Sequence, residues 1–299
     1  MVSHKKFPIL KDNRTLILLC LFLFVAYVLY KNIVGSVYLR KKDRINVVFY
    51  GSHTVFYSLG KNDISYFFTI PSNVEVEIPG GYGQYRIGAL GKLVSLEKKN
   101  EIFKKVFSAA TSSFVDLYFY PKTNAIYYGN ASTQKFIPSA TMILLNSSNA
   151  NLIDRLLLWF FFLQKPTNQF KEISDLPQEK ESNKALFDRI GFFKEYQGFF
   201  YEKAYRIISD RVQILYTENY KTALLISNIL EGEGIQVVDL SQNKKSQRGC
   251  KVIYNIQNTN DVTPRDIKTF FGCTIEKGET DVSDIILILG DLEKGWSVE

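Results

Sequence analysis

The chain has 299 residues, of which 46% are hydrophobic and 22% charged, a globular composition that excludes a disordered chain. Its 37 basic and 30 acidic residues leave a formal charge of +7 and a pI near 9.0, but no periodic face interleaves basic with aromatic residues, which argues against nucleic acid as a partner. Three cysteines and two histidines with no close clustering exclude a zinc site.

The first predicted element is an uncharged run over 16–30, preceded by Lys5, Lys6, Lys11 and Arg14 and followed by Lys31, Arg40, Lys41 and Lys42. A bilayer core takes roughly 20 apolar residues. The run reaches that length by continuing past Lys31, which can snorkel, through Ile33, Val34, Val37, Tyr38 and Leu39. Tyr27, Tyr30 and Tyr38 suit an aromatic belt. No small-residue cleavage site closes the run, so a retained anchor is expected over 15–39, behind a cytoplasmic tail over 1–14. Charge does not set its orientation, because both flanks are basic. The sequons at Asn13, Asn130 and Asn146 are no more frequent than chance gives and do not argue for glycosylation.

Beyond the anchor, strands are predicted over 45–50, 64–70 and 74–78, the last alternating apolar residues with Glu75 and Glu77. A turn at Pro79-Gly80-Gly81 leads to one helix near 93–110, with Phe103, Val106, Phe107 and Ala110 on a single face. A strand over 115–120 and a buried helix over 152–163 complete a domain spanning 45–165. Asp63, Asp116, Glu75 and Glu77 read as solvated faces between core positions. Polar composition around Pro166 and Pro177 marks 166–208 as a linker with connecting helices.

The last domain, 209–299, has strands over 212–216, 235–240, 251–256 and 285–289. One helix over 219–231 is stopped by Gly232 and Gly234; a second is capped by Thr263 with Pro264 at its first position and ended by Gly272. This βαββαβ order describes a two-layer module expected to fold alone. Cys250 and Cys273 are expected to be buried thiols more readily than a bridge. The fold class as a whole is α/β (α+β): a transmembrane helix, a mixed-sheet domain and a small βαββαβ domain.

Several of these residues match a known pattern. Gly51-Ser52-His53, Ile70-Pro71-Ser72-Asn73, Val76-Glu77-Ile78-Pro79-Gly80 and Arg86-Ile87-Gly88-Ala89 follow the anchor in the order and spacing of the LytR/CpsA/Psr catalytic domain, which 45–165 resembles in degenerate form. The 209–299 segment resembles the LytR C-terminal domain through Gly234-Ile235-Gln236-Val237 and a final strand ending in Leu289-Gly290. The resemblance implies a bacterial envelope protein with its domains outside the cell. It also implies transfer of a glycopolymer from a polyprenyl-pyrophosphate carrier to the cell wall, with arginines and carboxylate-held magnesium neutralising phosphoryl charge.

Here the motif arginine is Ser72, its aspartate Asn73 and the early aspartate His53. The expected catalytic set is therefore empty, with Arg86 and Lys92 as remnant phosphate ligands and no metal or other cofactor. A non-catalytic binding or scaffold role at the wall follows. The alternative is a divergent, magnesium-dependent phosphotransferase of the same class. Expected partners are the membrane and a cell-wall glycopolymer, a polyprenyl-phosphate lipid or another envelope protein.

Overall fold

The computed structural model describes all residues except 1–12, 42, 124, 130–136, 167–168, 182–183, 244–246, 257–258 and 299. Lys5, Lys6, Lys11, Lys42 and the Asn130 sequon lie outside the described residues. Helix α1 (Asn13–Val34) contains a 19-residue stretch, Leu16–Val34, of mean hydropathy 2.2 with none of it buried against the protein, long and apolar enough to cross a membrane. The helix stops earlier than the expected 39 because Gly35-Ser36 redirects the chain. Residues Val37 and Tyr38 of α2 (Val37–Arg40) then pack on the domain core instead of continuing the span.

Strands β1 (Arg44–Phe49), β2 (Thr54–Gly60) and β3 (Ser65–Ile70) form an antiparallel meander, and β4 (Glu75–Ile78) pairs with β5 (Gly83–Arg86). The single helix expected over 93–110 is two, α3 (Leu90–Glu97) and α4 (Glu101–Thr111), separated at Lys98, whose φ of 54° ends the first. Strand β6 (Leu117–Tyr120) returns parallel to β1. Next come α5 (Ala140–Leu145), β7 (Ser147–Ser148) and α6 (Leu152–Gln164). α6 opens with a capping box in which Asn151 and Asp154 satisfy each other's backbone amides.

Residues 166–208 are not a linker. β8 (Phe170–Glu172) adds to β3, and the hairpin of β9 (Gln178–Glu181) and β10 (Lys184–Phe187) adds to β4. Helices α7 (Arg189–Tyr196) and α8 (Lys203–Ile208) follow, and Phe187, Phe192 and Phe200 enter the domain core. The aromatic residues of this stretch are core. The result is a six-stranded sheet, β7-β6-β1-β2-β3-β8, and a four-stranded sheet, β5-β4-β10-β9. Strand β2 is buried throughout: Phe56 points to the layer of α3, α4 and α7, whereas Val55, Tyr57 and Leu59 point to the layer of α5 and α6.

In the last segment β11 (Arg211–Tyr216), α9 (Tyr220–Glu233), β12 (Gln236–Gln242), β13 (Lys251–Tyr254), α10 (Val262–Phe271), β14 (Thr274–Lys277), β15 (Ile285–Ile288) and α11 (Leu292–Gly295) build a sheet ordered β12-β11-β15-β13-β14. β14 is an addition to the expected βαββαβ order: an exposed edge strand, Thr-Ile-Glu-Lys, with no apolar run to announce it. A Cys250–Cys273 disulfide, with Cα atoms 4.7 Å apart, joins the starts of the parallel pair β13 and β14, where separate buried thiols were expected. Helix α10 starts at Val262, one residue before the expected cap Thr263, with Asp261 in the cap position.

Gly232 does not stop α9 but lies inside it, since an added Cβ would sit 1.6 Å from the Ser112 carbonyl oxygen; Gly234, at φ 106°, is the cap. The two halves are therefore in close contact. Ala109 and Phe114 of the first half belong to the core of the second, and Phe114 stacks on Phe270 with centroids 3.9 Å apart.

Candidate functional site

Three places have enough chemistry to be considered. The first is the turn region that holds the motif residues. Ser72 lies between β3 and β4, only 4% exposed, and its hydroxyl donates to the Ser52 carbonyl at 3.2 Å. Its own carbonyl accepts from Gly88 at 2.9 Å, so a small side chain closes two turns together. Asn73 is exposed. His53 is half-buried, and its Nδ1 is out of solvent with no hydrogen-bond partner among the described residues.

The space beside Ser72 is filled. The Tyr50 hydroxyl donates to the Gly88 carbonyl at 3.2 Å and accepts from the Gly91 amide at 2.8 Å. Its ring packs on Phe103 and Tyr127, and burial pushes its hydroxyl up to about 12. A Cβ on Gly88 would meet the Tyr127 carbonyl at 2.1 Å.

Of the predicted phosphate ligands, Arg86 projects from β5 to Glu75 on β4, 3.6 Å away, and Lys184 reaches the other Glu75 oxygen at 3.3 Å. Glu75 is buried, not a solvated face. Arg86 thus balances a carboxylate, and its 58% side-chain exposure gives that pair little energetic weight. Lys92 is exposed on α3. His53, Ser72 and Asn73 present no carboxylate, so they do not fit magnesium. Among the described residues no group of three His, Cys, Asp or Glu could hold a metal ion.

The second place is a buried charge cluster between the two halves. Lys41 Nζ lies 2.5 Å from Glu233 Oε1 and 3.6 Å from Asp116 Oδ1, with every side chain at most 6% exposed. Glu233 Oε2 accepts the Phe114 amide and Asp116 Oδ2 the Asn46 amide. Burial raises both carboxyls, Glu233 to about 8. Against burial, the two carboxylates hold Lys41 well above the ordinary lysine range. Asp116 was read as solvated and Lys41 as flank of the anchor; neither is exposed. The one local hint was a glutamate set between Gly232 and Gly234 at a helix end.

The third place is a cavity of about 1150 Å³ on the α6 side of the six-stranded sheet, the face opposite Tyr50 and Phe103. Apolar residues Leu157, Phe160 and Phe161 line it together with Lys61, Lys165 and Lys171. Lys165 donates to the Gly60 and Asp63 carbonyls and to Ser65 Oγ at 2.8–3.0 Å. The buried helix expected from the length of 152–163 is buried only at Asp154 and Leu158, and nothing in the sequence pointed to this cavity, whose wall comes from separate stretches of chain.

No protein-family profile matches the sequence, and no curated protein is found similar to it. Among solved structures, a LytR-CPS2A-psr family protein, YwtF (TagT) with bound octaprenyl pyrophosphate lipid, is 12% identical over 53% of this chain and 90% of its own, with a TM-score of 0.35. TagT bound to LI-WTA is 11% identical, covers 52% and 89%, and has a TM-score of 0.36. The transcriptional regulator yvhJ from Bacillus subtilis is 11% identical, covers 52% and 94%, and scores 0.35. The likeness concerns the arrangement of elements over about half the chain. At this identity and TM-score it does not assign a ligand or an activity.

Proposed function

We propose that this chain is a membrane-anchored envelope protein whose soluble halves bind or scaffold at the cell wall without catalysing transfer. Its N-terminus lies inside and residues 45–299 outside. The observation behind this reading is the turn at Ser72. Where the resemblance calls for a clamping arginine, a buried serine ties two backbone turns together beside a filled aromatic core, and Arg86, the basic residue that follows the motif, is paired with Glu75. Losing one electrostatic clamp on a developing oxyanion typically costs on the order of 10²–10³-fold in rate, and three matched positions differ here.

The detergent-solubilised chain with magnesium is expected to leave a polyprenyl-pyrophosphate glycan donor intact. Arg86→Ala should weaken donor binding only modestly. Multiple-turnover release of polyprenyl phosphate, lost on a single substitution, would establish the divergent phosphotransferase instead. The orientation is read by labelling intact cells at Leu96→Cys, an exposed α3 position, with a membrane-impermeant thiol reagent. Labelling only after lysis reverses it.

A further inference from the structure

Helix α6 is apolar on both sides. Its inner side, with Leu158 and Phe162, packs on the six-stranded sheet. At 3.6 residues per turn, Leu152, Leu156, Phe160 and Leu163 fall on one outward stripe. Leu152 is 52% exposed, Phe160 48% and Leu163 61%. No polar side chain interrupts the stripe. Soluble surfaces rarely leave such a run uncovered.

The start of α6 is fixed to the place where the spanning helix ends. Asn151 Nδ2 donates to the Asn32 carbonyl at 2.9 Å, and the Leu152 amide to Asn32 Oδ1 at 3.4 Å. Asp154 accepts from Ser36 Oγ at 2.6 Å and from the Tyr38 amide at 2.9 Å. Residue 32 lies in the last turn of α1, so the first turn of α6 is held where the chain leaves the hydrocarbon. At its other end Lys61, Lys165 and Lys171 line the cavity beside Phe160; Lys61 donates to the Tyr38 and Lys41 carbonyls and Lys165 to Gly60, Asp63 and Ser65, whereas Lys171 is exposed and Asp63 is already paired with Arg44 and Lys203. Cationic groups flanking an apolar stripe are what an anionic lipid surface attracts.

We infer that α6 is an interfacial helix, its outer stripe of Leu152, Leu156, Phe160 and Leu163 seated in the headgroup–acyl boundary of the bilayer that α1 spans, with the exposed Lys171 at the level of the lipid phosphates. The soluble halves then rest on the membrane instead of swinging from it. This rests on α1 being a true anchor, so the test reads the two separately.

An environment-sensitive fluorophore is placed on the full chain in three positions: at native Cys20, and at Phe160→Cys or Leu96→Cys after Cys20→Ser. Leu96 is 67% exposed on the opposite face of the sheet. The proteins are reconstituted into phosphatidylcholine–phosphatidylglycerol vesicles carrying nitroxides either near the headgroup or near the bilayer centre. The expected result is quenching of the Cys20 probe by central nitroxides, and quenching at Phe160 by headgroup nitroxides several-fold stronger than at Leu96. Removing phosphatidylglycerol should weaken the Phe160 signal. Equal quenching at Phe160 and Leu96, with Cys20 quenched, overturns the inference and leaves the anchor standing. A blue-shifted Phe160 probe that lipid nitroxides cannot quench overturns it in favour of a protein, such as a second copy of the chain, on the stripe. An unquenched Cys20 overturns the anchor itself.

Discussion

Lys41 meets two carboxylates in a buried site, with Glu202 a further acid nearby and Arg40 and Lys104 further cations beside Asp116. Burial favours a proton on the pair and pushes the Glu233 carboxyl up to about 8. Because its folded value lies above the ordinary 4.5, this group's stabilising contribution is complete below about pH 4.5 and is lost as the pH rises toward 8. Thermal melts of the whole chain in detergent should fall across that window, and Glu233→Gln should flatten the decline. Lys41→Met leaves the acidic pair without its cation and is expected to cost about 3–5 kcal/mol, read as a lowered denaturation midpoint at pH 7. A melt of Glu233→Gln with the wild-type pH slope would remove Glu233 from the account. Apart from a glutamate set between Gly232 and Gly234, none of this was legible in the sequence. Lys41 stands beside Arg40, one of several cations near a hydrophobic run, and its partner Glu233 lies 192 residues away.

At the level of elements, the sequence was most readable where polar and apolar residues alternate, even though Glu75 of β4 is buried, and less so along β2, where they do not. β4 alternates and was placed closely. β2 is buried along its whole length and, without alternation, was missed. Helix ends were legible where glycine adopts a positive φ, as at Gly272, but Gly232 shows the other use of the residue. There the missing Cβ lets α9 touch the Ser112 carbonyl, a contact no local pattern contains. Gly232→Ala should therefore destabilise by about 1–3 kcal/mol, as overpacking of a fixed backbone does. Alanine elsewhere in a helix gains roughly 0.5–1 kcal/mol over glycine. A stabilised Gly232→Ala protein would mean that the two helices separate easily.

Across the whole molecule, the expected independence of residues 209–299 does not survive the contacts between the halves. Phe114 stacks on Phe270, Lys104 donates to the Phe270 carbonyl, and the Ser297 carbonyl accepts from Gly80. The full chain should unfold in a single transition. A 209–299 fragment, lacking Ala109 and Phe114 from its core, should melt well below it with reduced cooperativity. Two resolved transitions in the whole chain would restore the modular reading.

The connection from α1 into this body has a mechanical meaning. Ser36 and Tyr38 fasten the tether to the start of α6, and Lys41, a few residues later, fastens it to Asp116 and to the end of α9. A force applied through α1 would thus enter the body at the seam between its halves, through Ser36, Tyr38 and Lys41, before it reached β1.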